Sequence, residues 1–536
     1  MRTNRCLLAS MLVLFAATAQ AARDVDAGAD DLRGTVFVDS NSDGERNADE
    51  SGLAGVKVSN GREIALTDAD GRYALPLRDG DTIFVIKPAG MDLPRRADGM
   101  PAFWKHHFPQ GSPPLRYGGI APTRIENGDF AVRLVAREAT QFLDALVFGD
   151  PQPKSTQDVD FYSRDIVSTL EAAPQAQLGL SLGDIVSDDL SLYPAMSRAT
   201  ERLGVPWLHL PGNHDLDFDA KGDADSLLSY RAVFGPDTYA WEERLAAFIL
   251  LDDVIYQPGT AAGYIGGLRD DQFAFLEAYL TKVPSERRIV IGAHIPFHDG
   301  TTGRESFRRA DRERLFALLA RFENVLLLTS HAHVQRHYFH TTADGWHGAQ
   351  PLHEYVVGAA CGGFWSGVLD VDGIPDSRMA DGTPNGYARL RVSDNDYHLR
   401  WHVARDPADT RIAVYAPRVL RRGAYPAFTV TANVYMGMDD TRVEYRIDAG
   451  AWRAMTRATH PDPALLAINV VDDRADTLRA YDRAVEAVPS THLWRGALPT
   501  DLAVGEHQVE VRAFDRWDGE LRAGLSYRLE EFRVEK

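Results

Sequence analysis

The stretch 205–215, VPWLHLPGNHD, decides how this chain is read. Its apolar lead, 205–210, has the length and composition of a buried strand, and Pro211 and Gly212 then force a sharp turn. Asn213, His214 and Asp215 are presented together just past the strand's carboxyl end, where open α/β sheets hold their ligands. An amide, an imidazole and a carboxylate in succession are an odd trio for a buried turn. The tetrad GNHD takes its meaning from what the other strand ends carry.

From Thr140 onward, apolar runs alternate with helical segments. DALVFGD, AQLGLSLGD, AAFILLDD, RRIVIGAH and NVLLLTSHAH read as strands, and DVDFYSRDIVSTLEAA, DDQFAFLEAYLTKV and RADRERLFALLARF as crossovers. Buried strands joined by helices predict a layered α/β domain. The strand ends offer Asp150 and Gln152 (GDPQ), Asp184 (GD), Asn213 and His214 (GNHD), His294 (GAH), and His331 with His333 (SHAH). A strand-end Asp alone commonly caps the next helix, and a single His is more often a packed residue than a ligand. Their recurrence at one sheet edge points to a shared site.

Two carboxylates, two amides and three imidazoles besides His214, with no thiolate, suit a pair of divalent first-row metals. Alternate residues of an extended strand point the same way, so His331 and His333 are expected to present both rings to one cluster. Asp184 is the natural bridge, because a shared anion offsets repulsion between cations about 3.5–4 Å apart. Such a pair acidifies a water and holds the oxygens of an in-line displacement, which is chemistry for phosphate esters.

With 44% hydrophobic and 25% charged residues over 536 positions, the composition is ordinary for a globular chain of several domains. Arg2 and Arg5 precede the apolar run LLASMLVLFAATA, and Ala19-Gln20-Ala21 has the small residues of a cleavage site. Residues 1–21 are therefore read as a secretory signal peptide and the protein as periplasmic or secreted. The run is too short to span a bilayer, so no transmembrane anchor is expected. A formal net charge of −19 argues against nucleic-acid binding through bulk charge and means that an anionic substrate needs local positive charge. After cleavage Cys361 is the sole cysteine, which excludes an intrachain disulfide.

Residues 32–88 read as a small β-sandwich of short strands separated by Gly, Asp and Asn turns. Within it, DSNSDGERNADE at 39–50 meets the calcium-loop pattern, with Asp39, Asn41, Asp43, Glu45 and Glu50 around Gly44. A structural calcium ion is expected there; the alternative is a solvated acidic hairpin loop. The segment resembles the B-type repeat domains of bacterial surface proteins. Residues 89–139, rich in Pro, Gly and aromatics, are expected to wrap as a linker onto a catalytic domain at 140–405. From 410 to 536 the runs are short and alternating without helical crossovers, which predicts a C-terminal β domain.

The strand-end blocks resemble the calcineurin-like metallophosphoesterase superfamily, whose motifs are D-x-H, GD, GNH[DE], GH and GHxH. The resemblance implies a four-layer α/β/β/α sandwich, here flanked by two all-β sandwich domains in the order of a bacterial exported group. It implies two divalent metals (Mn, Fe or Zn), the first held by Asp150, Asp184 and His333 and the second by Asp184, Asn213, His294 and His331. His214 would meet the phosphoryl group or protonate the leaving group, with Asp215 orienting it. Metal-activated hydroxide would attack phosphorus directly.

Two positions depart from the family pattern. Gln152 stands where many members ligate through His, so that ligand becomes a neutral amide oxygen or is lost, and the first metal is either held more weakly or shifted towards an oxygen-preferring ion such as manganese. Ser330 replaces a Gly in the last motif. Substrate contacts are sought in His298, Asp299 and Arg304 after the fourth motif, and in Phe364 and Trp365 of a later Gly-rich turn, of which His298 and Trp365 are the candidates. Monoester and diester hydrolysis both remain open. The alternatives are a nucleotidase or pyrophosphate-bond hydrolase, and a non-catalytic surface binding protein with a relic core.

Overall fold

The structure, a computed structural model, describes residues 30–135, 141–171, 176–298 and 305–532, apart from the single positions 395, 406, 408, 409, 426, 427 and 481. The expected signal peptide and the loop residues Asp299 and Arg304 lie outside the described residues. Among the described residues, no helix is long and apolar enough to cross a membrane.

The catalytic-domain strands form two large sheets and a two-stranded ribbon of Val254–Tyr256 and Tyr264–Gly266. One has five strands, in the order Trp207–Leu210, Leu178–Leu182, Leu143–Phe148, Gly386–Val392 and Tyr397–Val403. Its first three strands are parallel, and the last two close it as an antiparallel pair. The other has six strands, with a parallel centre of Ala247–Leu250, Ile289–Gly292, Val325–Thr329 and Leu352–Val356 between antiparallel edges. These strands are almost wholly buried, as continuous apolar runs must be when both faces are covered. Gly292 lies where the two sheets meet: a Cβ there would stand 3.2 Å from Leu210 and 3.4 Å from Leu182 of the opposite sheet. Outer helices complete the layers, with Tyr162 against Phe148 on one side and Phe316 against His340 on the other. The fold is α/β with additional β domains.

The N-terminal domain is two four-stranded sheets, and it corrects the expected linker. Trp104–His107 pairs with Asp81–Val85, and Phe130–Leu134 lies parallel to Asp30–Val38. Residues 89–135 are therefore part of the sandwich. Its strands went unread because they are short, lie among Pro and Gly, and pair with partners far away in sequence. The sandwich shares a continuous apolar core with the catalytic domain. Phe84 meets Phe275 at 5.8 Å, and the buried Lys87 ammonium lies 2.6 Å from Glu243.

The C-terminal domain has a four-stranded and a five-stranded sheet, the latter containing the long hairpin Gly505–Asp515 and Gly519–Glu530, with a small two-stranded ribbon of His460–Pro461 and Pro489–Ser490 and a core of its own. It is not all-β. Pro463–Asp473 is a helix started by Asp462, whose carboxylate accepts from the Ala464 and Leu465 amides. The hairpin tip docks on the catalytic domain, where Trp517 lies against the stacked His337 and His353 rings.

Two tests follow from this packing. A Cβ on Gly179 would fall 2.0 Å from the Trp207 indole, so Gly179→Ala is expected to lower the thermal midpoint by an amount equivalent to ~1–3 kcal/mol. An unchanged midpoint would contradict the packing. Burial, aided by the Arg516 charge, pushes His353 down to about 3, and burial drives His337 well below its ordinary value. Both folded values lie below the unfolded value of about 6.5, so this stabilisation is complete above that pH and is lost as pH falls towards about 3. A thermal scan in acid should show destabilisation that shrinks in His353→Gln; an equal loss in the variant would refute the assignment.

Candidate metal centre

The site sits at the carboxyl ends of both sheets. Asp150, Asp184 and Asn213 follow strands of the five-stranded sheet, while His294, His331 and His333 follow strands of the six-stranded one. Asp150 (φ 40°), Gln152 (41°), Asp184 (48°), His331 (67°) and His333 (48°) all take left-handed backbone. That conformation is costly for residues with side chains and persists only where surroundings over-determine it. The arrangement corrects one expectation: the strand ends at Thr329, so His331 and His333 are aimed by a turn rather than by strand alternation.

Backbone closeness explains two glycines. A Cβ on Gly183 would lie 2.5 Å from the His294 ring, and one on Gly212 would lie 2.2 Å from Asp184 Oδ1. The centre tolerates no side chain at either place.

Three potential ligands, Asp184, His294 and His331, bring their donor atoms within 4.8 Å of one another. Asn213 Oδ1 and His331 Nδ1 each lie 3.1 Å from His294 Nε2. His294 Nδ1 donates to the Leu182 carbonyl at 2.9 Å, which leaves Nε2 as the nitrogen that faces the cluster. In the same way His333 Nδ1 donates to the Gly362 carbonyl at 2.7 Å and turns Nε2 towards Asp150 Oδ1, 3.6 Å away. Asp150 Oδ2 accepts from Ser330 Oγ and from the His331 amide, yet buried Oδ1 has no hydrogen-bond partner among the described residues. Converging lone pairs and an orphaned carboxylate oxygen are the polar groups a pair of cations would satisfy. The residues present fit divalent metals.

Electrostatics agree. Burial works to raise Asp184, but the His294 charge and hydrogen bond hold its carboxyl well below the usual range. Burial works to lower His294, but Asp184 holds it up at about 10. Burial raises Asp150, against the pull of His333.

The supporting residues require corrections. Asp215 does not touch the His214 ring: its carboxylate accepts from the Gly212 (2.8 Å), Ile185 (3.1 Å) and Val186 (3.4 Å) amides and from the Tyr193 hydroxyl (3.0 Å). It ties the loop of Asp184 to the loop of Asn213. The partner of His214 is Asp188, with Oδ1 2.6 Å from Nδ1. Asp188 escaped the sequence reading because its run, SDD at 187–189, looks like a helix cap. Asp253 was also missed; it accepts from the His294 and Ile295 amides at 3.0 and 2.9 Å.

Gln152 turns its amide nitrogen to Asp184 Oδ2 at 3.2 Å, and its oxygen faces Cys361 Sγ at 3.9 Å. In this orientation it positions Asp184; a half-turn of the amide would offer the oxygen instead. Cys361 is buried, and burial raises its thiol well above the ordinary value, as a packing residue requires.

Neither substrate candidate faces the site. His298 is buried against Glu354 (3.2 Å) and stacked on Tyr338. Trp365 is fully buried, its indole N–H donating to the Pro151 carbonyl at 2.8 Å. Its neighbour Phe364 is the exposed aromatic, its ring 4.4 Å from that of His333.

In the N-terminal loop, Asp39 accepts from the Ser42 and Gly44 amides and from the Arg133 guanidinium at 2.9 Å. Both Glu50 oxygens accept backbone amides, of Ser40 and Asn47. Asp43 accepts from the Glu45 amide and from the Asn41 side chain, while Glu45 itself is exposed.

Three family models match the chain: the N terminal of calcineurin-like phosphoesterase over 40–114, calcineurin-like phosphoesterase over 144–335, and the C terminal of calcineurin-like phosphoesterase over 354–520. A probable glycerophosphodiester phosphodiesterase GpdQ from Arcobacter nitrofigilis is 28% identical over 171 residues, which are 30% of this chain and 58% of that protein. A dimetal phosphatase from Danio rerio (16% identity, TM-score 0.32) aligns over 48% of this chain and 95% of its own. The purple acid phosphatase PPD1 from yellow lupin, Lupinus luteus, seeds (13%, TM-score 0.37) aligns over 68% of this chain and 66% of its own.

Asp184→Ala removes the carboxylate on which both halves of the cluster converge. Elemental analysis of the variant after manganese loading and desalting should find little or no bound metal. Retention of two equivalents would show that Asp184 is not the bridge.

Proposed function

The chain belongs to the calcineurin-like metallophosphoesterase superfamily, and on that premise we propose that it hydrolyses phosphate esters at a dinuclear centre. Asp150, Asp184 and His333 would hold one metal, and Asp184, Asn213, His294 and His331 the other. The observation that carries this reading is the convergence of His294 Nε2, His331 Nδ1 and Asn213 Oδ1 beside Asp184, on separate strand ends, with His294 Nδ1 tied back to the Leu182 carbonyl. When bound, a divalent pair supplies Lewis acidity and lowers the pKa of water.

The protein's own contribution is proton placement and orientation. Burial acts to lower His214, but the Asp188 hydrogen bond and the Asp184 charge hold it up at about 9. Its Nδ1 donates to Asp188, so the second ring proton is carried on Nε2 at a partly exposed position, where it can meet a phosphoryl oxygen or an ester leaving group. Asp215 and Asp253 hold the ligand loops by accepting their amides, which limits reorganisation during the reaction.

The chain spans 58% of the length of the curated relative it matches, and that relative's name favours a diester substrate. The test is release of nitrophenol from bis-p-nitrophenyl phosphate by protein stripped with chelator and resupplied with manganese, iron or zinc. Metal-dependent turnover is expected, with p-nitrophenyl phosphate and nucleoside diphosphates as slower substrates. No turnover with any metal would sink the proposal. Asp188→Asn should lower kcat by about 10²-fold or more at unchanged metal content; a normal rate would remove Asp188 and His214 from the chemistry.

Two further assignments belong to this reading. We place the mature protein outside the cytoplasm, for which fractionation of the native host is the test; activity confined to the cytosol would overturn it. We also assign structural calcium to the loop 39–50. Calcium should raise the thermal midpoint in the wild type and not in Asp43→Ala, and an equal response in both would refute the site.

A further inference from the structure

We propose that Phe364 is the specificity-determining residue of the site: its ring is the platform for an apolar or planar substituent of the substrate's phosphate. The proposal rests on the phosphoesterase reading and deepens it by naming a substrate class, esters carrying aryl or alkyl groups.

Burial sets Phe364 apart. The turn 359–366 is otherwise packed away, with Cys361 and Trp365 fully buried, yet Phe364 in its midst is 39% exposed. Phe364 (φ 61°) and Trp365 (φ 55°) take consecutive left-handed conformations, which bulky side chains rarely adopt. The surrounding hydrogen bonds impose them. Trp365 is anchored through its indole to Pro151 and through its amide to Cys361 O at 3.0 Å. Ser377 Oγ donates to Cys361 O at 2.7 Å and accepts from the Gly363 amide at 3.0 Å. From behind, the C-terminal domain supports the turn, for a Cβ on Gly363 would lie 2.6 Å from Val485. A strained, buttressed turn that presents a large apolar ring is the kind of outlier that marks a functional surface.

Position gives that surface its role. The Phe364 ring lies 4.4 Å from the His333 ring, inclined by 33°, and covers the imidazole whose Nε2 faces Asp150. The Phe364 ring is thus one ring away from the proposed first metal. A phosphoryl group held at the centre would direct one substituent across this ring. Aryl and alkyl groups gain contact and dispersion there, whereas a polyol gains nothing from an apolar face.

The test is calorimetric binding of non-hydrolysable probes to manganese-loaded protein, which does not depend on turnover. Phenylphosphonate should bind the wild type about tenfold more tightly than methylphosphonate. Phe364→Ala should abolish that preference while leaving the affinity for inorganic phosphate and the manganese content unchanged, and Phe364→Trp should retain it. A preference that survives in Phe364→Ala, or an equal loss for all three anions, would overturn the proposal while leaving the phosphoesterase reading standing. Failure of every anion to bind the wild type would overturn both.

Discussion

The contact between Asp184 and His294, 3.4 Å apart and both buried, is the point on which the molecule turns. Asp184 comes from one sheet of the sandwich and His294 from the other, so the two halves of the catalytic domain meet there through a charged pair. Burial alone would drive each towards its neutral form. Each instead holds its partner charged, and a cation bound at His294 Nε2 would take the place of the proton there. A buried pair of this kind is costly unless its remaining polar atoms are satisfied, and the surrounding residues serve that end. Leu182 O accepts a hydrogen bond from His294 Nδ1–H, the His214 amide donates to Asp184 Oδ1 at 2.9 Å, and Asp253 fixes the His294 backbone.

Layering makes this meeting possible. Two mixed sheets, packed face to face through Gly292, Leu210 and Leu182, bring the carboxyl ends of their parallel strands to one edge. Every ligand loop can then reach a common centre in a few residues, and glycine at 183 and 212 lets the backbones approach. The flanking domains stiffen this arrangement rather than standing apart. The N-terminal sandwich shares the catalytic core, with Lys57 2.9 Å from Glu242, and the C-terminal domain contacts the catalytic one at Trp517 and behind the turn of Phe364.

How much of this is legible in the sequence depends on the range of the interaction. The strand ends that carry the proposed ligands are local patterns, an apolar run, a tight turn and a side chain able to chelate, so LPGNHD and its counterparts can be read directly. The roles of Asp215 and Asp188 cannot, because which carboxylate reaches His214 depends on how two loops fold against each other. Burial of Trp365 and His298 is likewise a long-range result: nothing local distinguishes Phe364 from Trp365, and Pro151 is what captures the indole. The strand Phe130–Leu134 was hidden for the same reason, since its partner Asp30–Val38 lies at the other end of the domain.

The proposed chemistry requires that two metals share Asp184. Anomalous diffraction at the manganese edge from crystals of the manganese-loaded protein tests this directly. Two peaks about 3.5–4 Å apart, with Asp184 between them, Asp150 and His333 on one side and Asn213, His294 and His331 on the other, are the predicted result. A single peak, or any pair that leaves Asp184 without a metal contact, would contradict it.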